Sequence, residues 1–284
     1  MIAKRLPGIF PPMSEEESLE VTKIYSILGM LDKEFPLMTK RPFRNVHHTV
    51  TRAALTGGGV YPQPGEISLS HKGVLFLDEL PEFRRNVIEA LRQPLEEQLI
   101  RISRRENFYI FPADVMLVAA MNPCPCGYYP DTKKCTCSPT QIQNYMSRIS
   151  QPFLDRIDIC TEAPRVEFES LVHHEEEETS EKIRARVCFA REIQKERFKE
   201  STIRTNARMG VKEIEQYCVL GKEEEELMKK AFSVMELTAR SYHKVLKTAR
   251  TIADLEGEER IRFSHLSEAL GYRTMEHKGK ENGV

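Results

Sequence analysis

Gly73-Val74-Leu75-Phe76-Leu77-Asp78-Glu79 is the stretch on which the fold turns. A short unbroken apolar run entered from a glycine predicts a strand buried on both faces, the habit of a parallel sheet. The run ends in two adjacent carboxylates. Asp78 and Glu79 therefore stand at the carboxyl edge of the strand, where open α/β sheets bind ligands. In nucleotide hydrolysis the first of such a pair helps hold magnesium and the second polarises the attacking water. An acidic strand end that merely opens a loop would have the same sequence.

Outward from that strand the pattern alternates between helix and strand. Residues 84–97 carry Val87, Ile88, Leu91 and Leu95 at helical spacing, with Pro94 expected to interrupt them. Leu99 to Phe111 alternates around Arg104-Arg105-Glu106 and predicts a hairpin. Val115 to Met121 is expected to be a second buried strand, ending at Asn122, whose amide can orient a water or meet a terminal phosphate. Upstream, residues 14–31 predict an amphipathic helix capped by Ser14. Residues 41–72 carry turn signals such as Gly57-Gly58-Gly59 and no long periodic element. Buried strands separated by helices imply an α/β sheet. From Thr179 onward the signals are helical: 180–198, 211–218, 222–236, 238–256 stopped by Gly257, and a last helix capped by Ser264. Three segments follow: an α/β unit at 1–165, a helical unit at 166–273 and a disordered tail at 274–284.

Bulk properties narrow the function classes. The formal net charge is −1, so any nucleic-acid contact must come from a local basic patch. The longest apolar stretch, Val115 to Met121, is far short of the roughly 20 residues that span a bilayer. The start, MIAKRLPGIF, lacks the apolar region of a secretory signal, and a cytoplasmic address is expected.

Four of the seven cysteines, Cys124, Cys126, Cys135 and Cys137, fall together as CPC and CTC arms. In a reducing compartment such a cluster points to a metal, and four thiolates can close a tetrahedral zinc site. The arms are tighter than the usual CxxC, and reduced structural thiols are the alternative. Cys160, Cys188 and Cys218 are expected in the core, and His47-His48 and His173-His174 at the surface. Arg101, Arg104 and Arg105, with Tyr109 nearby, could face nucleic acid or form a solvated turn. Pro152-Phe153-Leu154-Asp155-Arg156-Ile157-Asp158 sets one arginine in an apolar-acidic run, and Arg240 opens a helix.

Taken together, GEISLSHKGVLFLDELPEF, LVAAMNPCPCG, RISQPFLDRIDI and LTARSYHKVLKTARTIADLEG closely resemble the AAA+ ATPases related to the magnesium-chelatase I subunit, and among them the YifB/ComM branch. The resemblance runs from Met1 to about Arg273. It implies an AAA+ parallel-sheet core with hairpin insertions and a helical lid, binding ATP and Mg2+. It implies that Asp78 and Glu79 are the Walker B pair, Asn122 sensor 1, Arg156 the arginine finger toward a neighbouring subunit, and Arg240 sensor 2 of the lid. Hairpin Leu99 to Phe111 would be the pre-sensor-1 insertion, and the Gly-rich stretch before Gly65 the helix-2 insertion. It further implies a homo-oligomeric, hexameric ring acting on DNA.

One departure stands out. Family members hold phosphates on a Gly-rich turn ending in Gly-Lys-Ser/Thr, and no such motif occurs in these 284 residues. The chain is expected to begin just after that turn, to lack the first sheet strand, and to be inactive without an amino-terminal segment. A chelatase-type subunit driving metal insertion is a second reading, which the cysteine cluster disfavours. A zinc-braced assembly or DNA-contact fragment without catalysis is a third.

Overall fold

The computed structural model describes residues 2–104, 107–163 and 178–273, with Arg104 described by its backbone alone. Arg105, the His173-His174 pair and the tail at 274–284 lie outside the described residues. The chain falls into two compact units, Met1–Gly8 with Pro12–Arg156, and Ile9–Pro11 with Ile157–Val284.

The first unit is built on a three-stranded parallel sheet of β1 (Phe43–Val46), β2 (Val74–Leu77) and β5 (Met116–Ala119), in the order β1-β2-β5. The central strand β2 is the VLFL run, and Val74, Leu75 and Leu77 have no exposed surface. Gly73 lets it enter: a Cβ there would stand 2.0 Å from the carbonyl oxygen of Pro42, which accepts the Val74 N–H. β1 escapes the periodicity reading because its four residues include Arg44 and Asn45. Arg44 is held by a two-pronged ion pair to Glu66, at 2.6 and 2.8 Å.

The Val115 to Met121 run is shorter and wetter than the sequence suggests. β5 covers Met116–Ala119, and Met116 is 45% exposed. The reason is position. Among the described residues β5 pairs with β2 alone, so its outer side has no strand to shield it.

Around the sheet, helix Glu15–Ile27 starts in a capping box, with Ser14 and Glu17 each accepting the other's backbone N–H. It ends at Ile27 rather than at residue 31, and Leu19 and Ile27 are exposed while Val21, Ile24 and Tyr25 form the buried stripe. The 84–97 segment divides into Arg85–Ala90 and Arg92–Glu97. Pro94 explains the break, because its ring clashes with the carbonyl four residues earlier, that of Ala90. The hairpin is present as β3 (Leu99–Arg104) and β4 (Asn107–Pro112), antiparallel.

The second unit is helical: Ser180–Arg197, Val211–Tyr217, Lys222–Val234, Ala239–Glu256 and Phe263–Gly271. Gly257, at φ 74°, terminates the fourth in the left-handed conformation that glycine tolerates best. The last helix is capped otherwise than expected. Ser264 lies inside its first turn, and Nδ1 of buried His265 accepts the Arg262 N–H in place of a hydroxyl cap. The core joins Val245, Leu246, Ala249, Leu266 and Ala269 with Met209, Met228 and Phe198. Beside it lies a charged knot: fully buried Asp254 accepts two bonds from Arg197 at 2.6 and 2.7 Å, one from Arg250 at 3.0 Å and one from Asn206 at 2.7 Å. Such density satisfies a carboxylate that would otherwise be costly to bury. Of the three scattered cysteines only Cys218 is buried. Cys160 and Cys188 are partly exposed. No described helix is long and apolar enough to cross a membrane.

Candidate nucleotide-hydrolysis site and cysteine centre

The three parallel strands end along one edge, and their register decides which side chains meet there. Val46 pairs with Leu77, and Leu77 with Ala119. Continuing the register, His48 comes level with Glu79, and Ala120 with Asp78. The exits of β2 and β5 are tied together, since the Ala120 N–H donates to Leu77 O at 2.9 Å and the Leu80 N–H donates to Ala120 O at 3.0 Å. Asp78 and Glu79 thus leave the centre of the sheet, and exposed Asn122 leaves its neighbour two residues after Ala120.

Asp78 Oδ1 accepts the backbone N–H of Glu79 at 3.0 Å. Glu79 itself has φ 55° and ψ 49°, a left-handed conformation rare for a residue with a side chain. Such a conformation costs on the order of 1–3 kcal/mol and persists only where the surroundings enforce it. Here they do: the parallel strand ends before it and a three-residue 3-10 turn, Leu80–Glu82, begins after it. The turn leaves the Glu79 carboxylate 56% exposed, with His48 Nδ1 3.3 Å from Oε2. The sequence places His48 at the surface, but it is half-buried, 4.1 Å from the His47 ring and edge-on to Phe83. No motif or spacing in the sequence signals this contact with Glu79.

Asn122 is followed at once by the cysteine centre. Cys124, Cys126, Cys135 and Cys137 place their sulfurs within 4.8 Å of one another. Three of the separations are 3.4 Å (Cys124–Cys126), 3.6 Å (Cys126–Cys135) and 3.8 Å (Cys124–Cys135). Tetrahedral zinc with Zn–S bonds of ~2.3 Å demands about 3.8 Å between sulfurs, so the donors fit that ion. Gly127, at φ 76°, turns the chain back between the arms, and the Tyr129 N–H donates to the Cys124 sulfur at 3.4 Å. Backbone donors at Tyr128 and Thr136 pull Cys126 down to about 6. On Cys137 the Cys126 N–H acts the same way, but burial and the neighbouring thiols outweigh it and push that thiol up to about 12. Four sulfurs this close resist carrying four negative charges, and a bound cation is what would let them do so.

Arg156 closes the first unit. Only 9% of its side chain is exposed, and it pairs with Glu96 at 2.8 Å and donates to the Pro152 carbonyl. Arg240 is exposed in the first turn of Ala239–Glu256, in the second unit. On the hairpin, Arg101 pairs with Glu97 at 3.1 Å. Of Arg104 the backbone alone is described, and Arg105 lies outside the described residues. Asp78, Glu79 and Asn122 are therefore brought to one sheet edge, with the cysteine centre adjoining.

Residues 1–171 match the family model for magnesium chelatase, subunit ChlI, and residues 177–273 match the model for its C-terminal part. Competence protein ComM of Haemophilus influenzae is 47% identical over 97% of this chain and 53% of its own length. YifB of Salmonella typhimurium is 42% identical and YifB of Escherichia coli 40%, each over 97% of this chain and 54% of the relative. The chain spans about half the length of the curated relatives it matches. With a parallel-sheet core carrying the acidic strand end, a helical unit after it and both family models aligned in order, the chain belongs to the magnesium-chelatase ChlI family, alongside ComM and YifB.

Proposed function

We propose that these residues supply the metal- and water-handling side of an ATP-hydrolysing site in a ring-forming AAA+ protein that moves DNA strands, as the ComM/YifB likeness suggests. The observation that carries this reading is the convergence of Asp78, Glu79 and Asn122 on one edge of a parallel sheet. Asp78, steadied by the Glu79 N–H, would help hold magnesium. Glu79, exposed and set off from the strand by its left-handed backbone, would take the proton of the attacking water. Asn122 would orient that water. Arg156, reaching a neighbouring subunit of a hexamer, and Arg240 would meet the charge on the transferred phosphoryl group. Mg-ATP, when bound, supplies the anhydride to be cleaved. The cysteine centre would hold zinc as a brace behind Asn122, and hairpin β3–β4 with Arg101, Arg104 and Arg105 would face DNA.

No Gly-rich turn ending in Gly-Lys-Ser/Thr occurs in the 284 residues, so the hold on the phosphates has to come from elsewhere. Titration calorimetry tests this. The chain by itself should bind Mg-ATP far more weakly than micromolar and hydrolyse essentially none. A segment carrying such a turn, fused or co-expressed, should restore both. Micromolar binding by the 284 residues alone would contradict the reading.

A further inference from the structure

The hairpin offers more than arginines. Directly opposed residues of an antiparallel pair share a face, and faces alternate along each strand. Ile100 pairs with Phe111, both buried at 5% and 8% exposure, so that face anchors the hairpin. The opposite face carries Arg101 opposed to Ile110, and Ser103 opposed to Phe108. On it Ile110 is 58% exposed and Phe108 78%. Exposed strands are ordinarily blunted with charge or proline, whereas this face presents a nearly bare phenyl ring and a branched aliphatic. Residues 97–112 also hold three arginines against two glutamates, of which Glu97 pairs with Arg101 at 3.1 Å, in a chain whose net charge is −1.

A flat apolar ring flanked by cations is complementary to an unpaired base on a phosphodiester backbone. Aromatic rings stack on bases of any sequence, while neighbouring cations meet the phosphates. Within a duplex the bases are already stacked on one another and offer no free face. We propose that Phe108 is a stacking residue for single-stranded nucleic acid, with Ile110 packing beside the same base and Arg101 meeting the backbone. This rests on the DNA-acting reading above and specifies the strand state that the hairpin takes.

The test compares two fluorescently labelled oligomers of equal charge, an oligothymidylate and an abasic phosphodiester chain of the same length, in anisotropy titrations of the full chain. The wild type should prefer the oligothymidylate by on the order of tenfold. Phe108→Ala should abolish that preference while leaving abasic binding, its salt slope and the thermal midpoint unchanged, because the ring supports no core. Arg101→Gln should do the converse, weakening both oligomers and lowering the salt slope by about one. If Phe108→Ala retains the preference, the proposal falls and general DNA binding stands. If Phe108→Ala instead alters the oligomer mass and leaves the preference intact, the ring is a subunit contact and the proposal also falls. Binding of neither oligomer at low salt would overturn the proposal and the DNA-acting reading together.

Discussion

His48 Nδ1 lies 3.3 Å from Glu79 Oε2, an imidazole from the end of one strand set against a carboxylate from the end of the next. The contact follows from register, since Val46 opposes Leu77 and each chain then runs two residues further. It gives Glu79 a second restraint beyond its left-handed backbone. Where the carboxylate acts on water, loss of such a restraint costs rate through misorientation, up to about 10²-fold for displacements near 1 Å. His48→Ala should lower kcat on the order of tenfold in an ATPase-competent assembly, with KM for ATP little changed. A rise in KM with kcat preserved would place His48 in nucleotide binding instead.

The cysteine centre predicts one zinc per chain. Metal analysis under reducing conditions should find close to one equivalent, and Cys135→Ser should remove most of it. Chelation should lower the thermal midpoint, because the arms bracket the loop that follows Asn122 and metal binding is coupled to folding. Well under half an equivalent, unchanged by the substitution, would leave the four sulfurs as reduced thiols.

His71 predicts a pH effect on the first unit. Its ring is 3% exposed, Nδ1 accepts the Asp114 N–H at 3.0 Å, and Nε2 donates to Glu20 at 3.0 Å, an arrangement that requires the neutral ring. Burial drives its pKa below the usual 6.5, against the pull of Glu20. The unfolded chain therefore takes up this proton first as pH falls. Stability from His71 is complete above about pH 6.5 and declines below it, down through the lowered folded pKa. The melting temperature should drop between pH 7 and 5.5, and His71→Gln should flatten that drop. An equal slope in the variant would assign the effect to other groups.

Much of this architecture was legible. VLFL fixes the central strand because an apolar run of four tolerates no wet face, and Asp78-Glu79 marks which end is the working edge. The hairpin, the Ser14 cap and the break before Pro94 are local and were readable, while the reciprocal bond to Glu17 came only with the structure. What escaped was non-local. β1 is four residues with Arg44 and Asn45 inside it, so no periodicity announces it, and without β1 nothing places His48 beside Glu79. The wet outer side of β5 depends on strand order, which composition does not carry. Nor does any spacing rule pair Arg156 with Glu96, sixty positions upstream.

That pairing sets a specific question for Arg156. If it serves a neighbouring subunit, it must exchange Glu96 for the neighbour's phosphates. Mixed assemblies of Arg156→Ala and Glu79→Gln chains should recover part of the ATPase, because some interfaces then combine an intact arginine with an intact carboxylate. No recovery in mixed rings that demonstrably assemble would make Arg156 a structural cation held by Glu96 and the Pro152 carbonyl.

Glu79, at the end of β2, is the residue proposed to handle the attacking water. The most direct test of that role is single-turnover ATP hydrolysis by Glu79→Gln, with the phosphate-binding turn supplied in fusion or by co-expression. The substitution keeps size and hydrogen bonding and removes only the basicity, so Mg-ATP affinity should stay within a few-fold of wild type. General-base catalysis contributes typically 10²–10⁴-fold, and the hydrolysis rate should fall by about that factor. Hydrolysis at the wild-type rate, with nucleotide bound, would remove Glu79 from the chemical step.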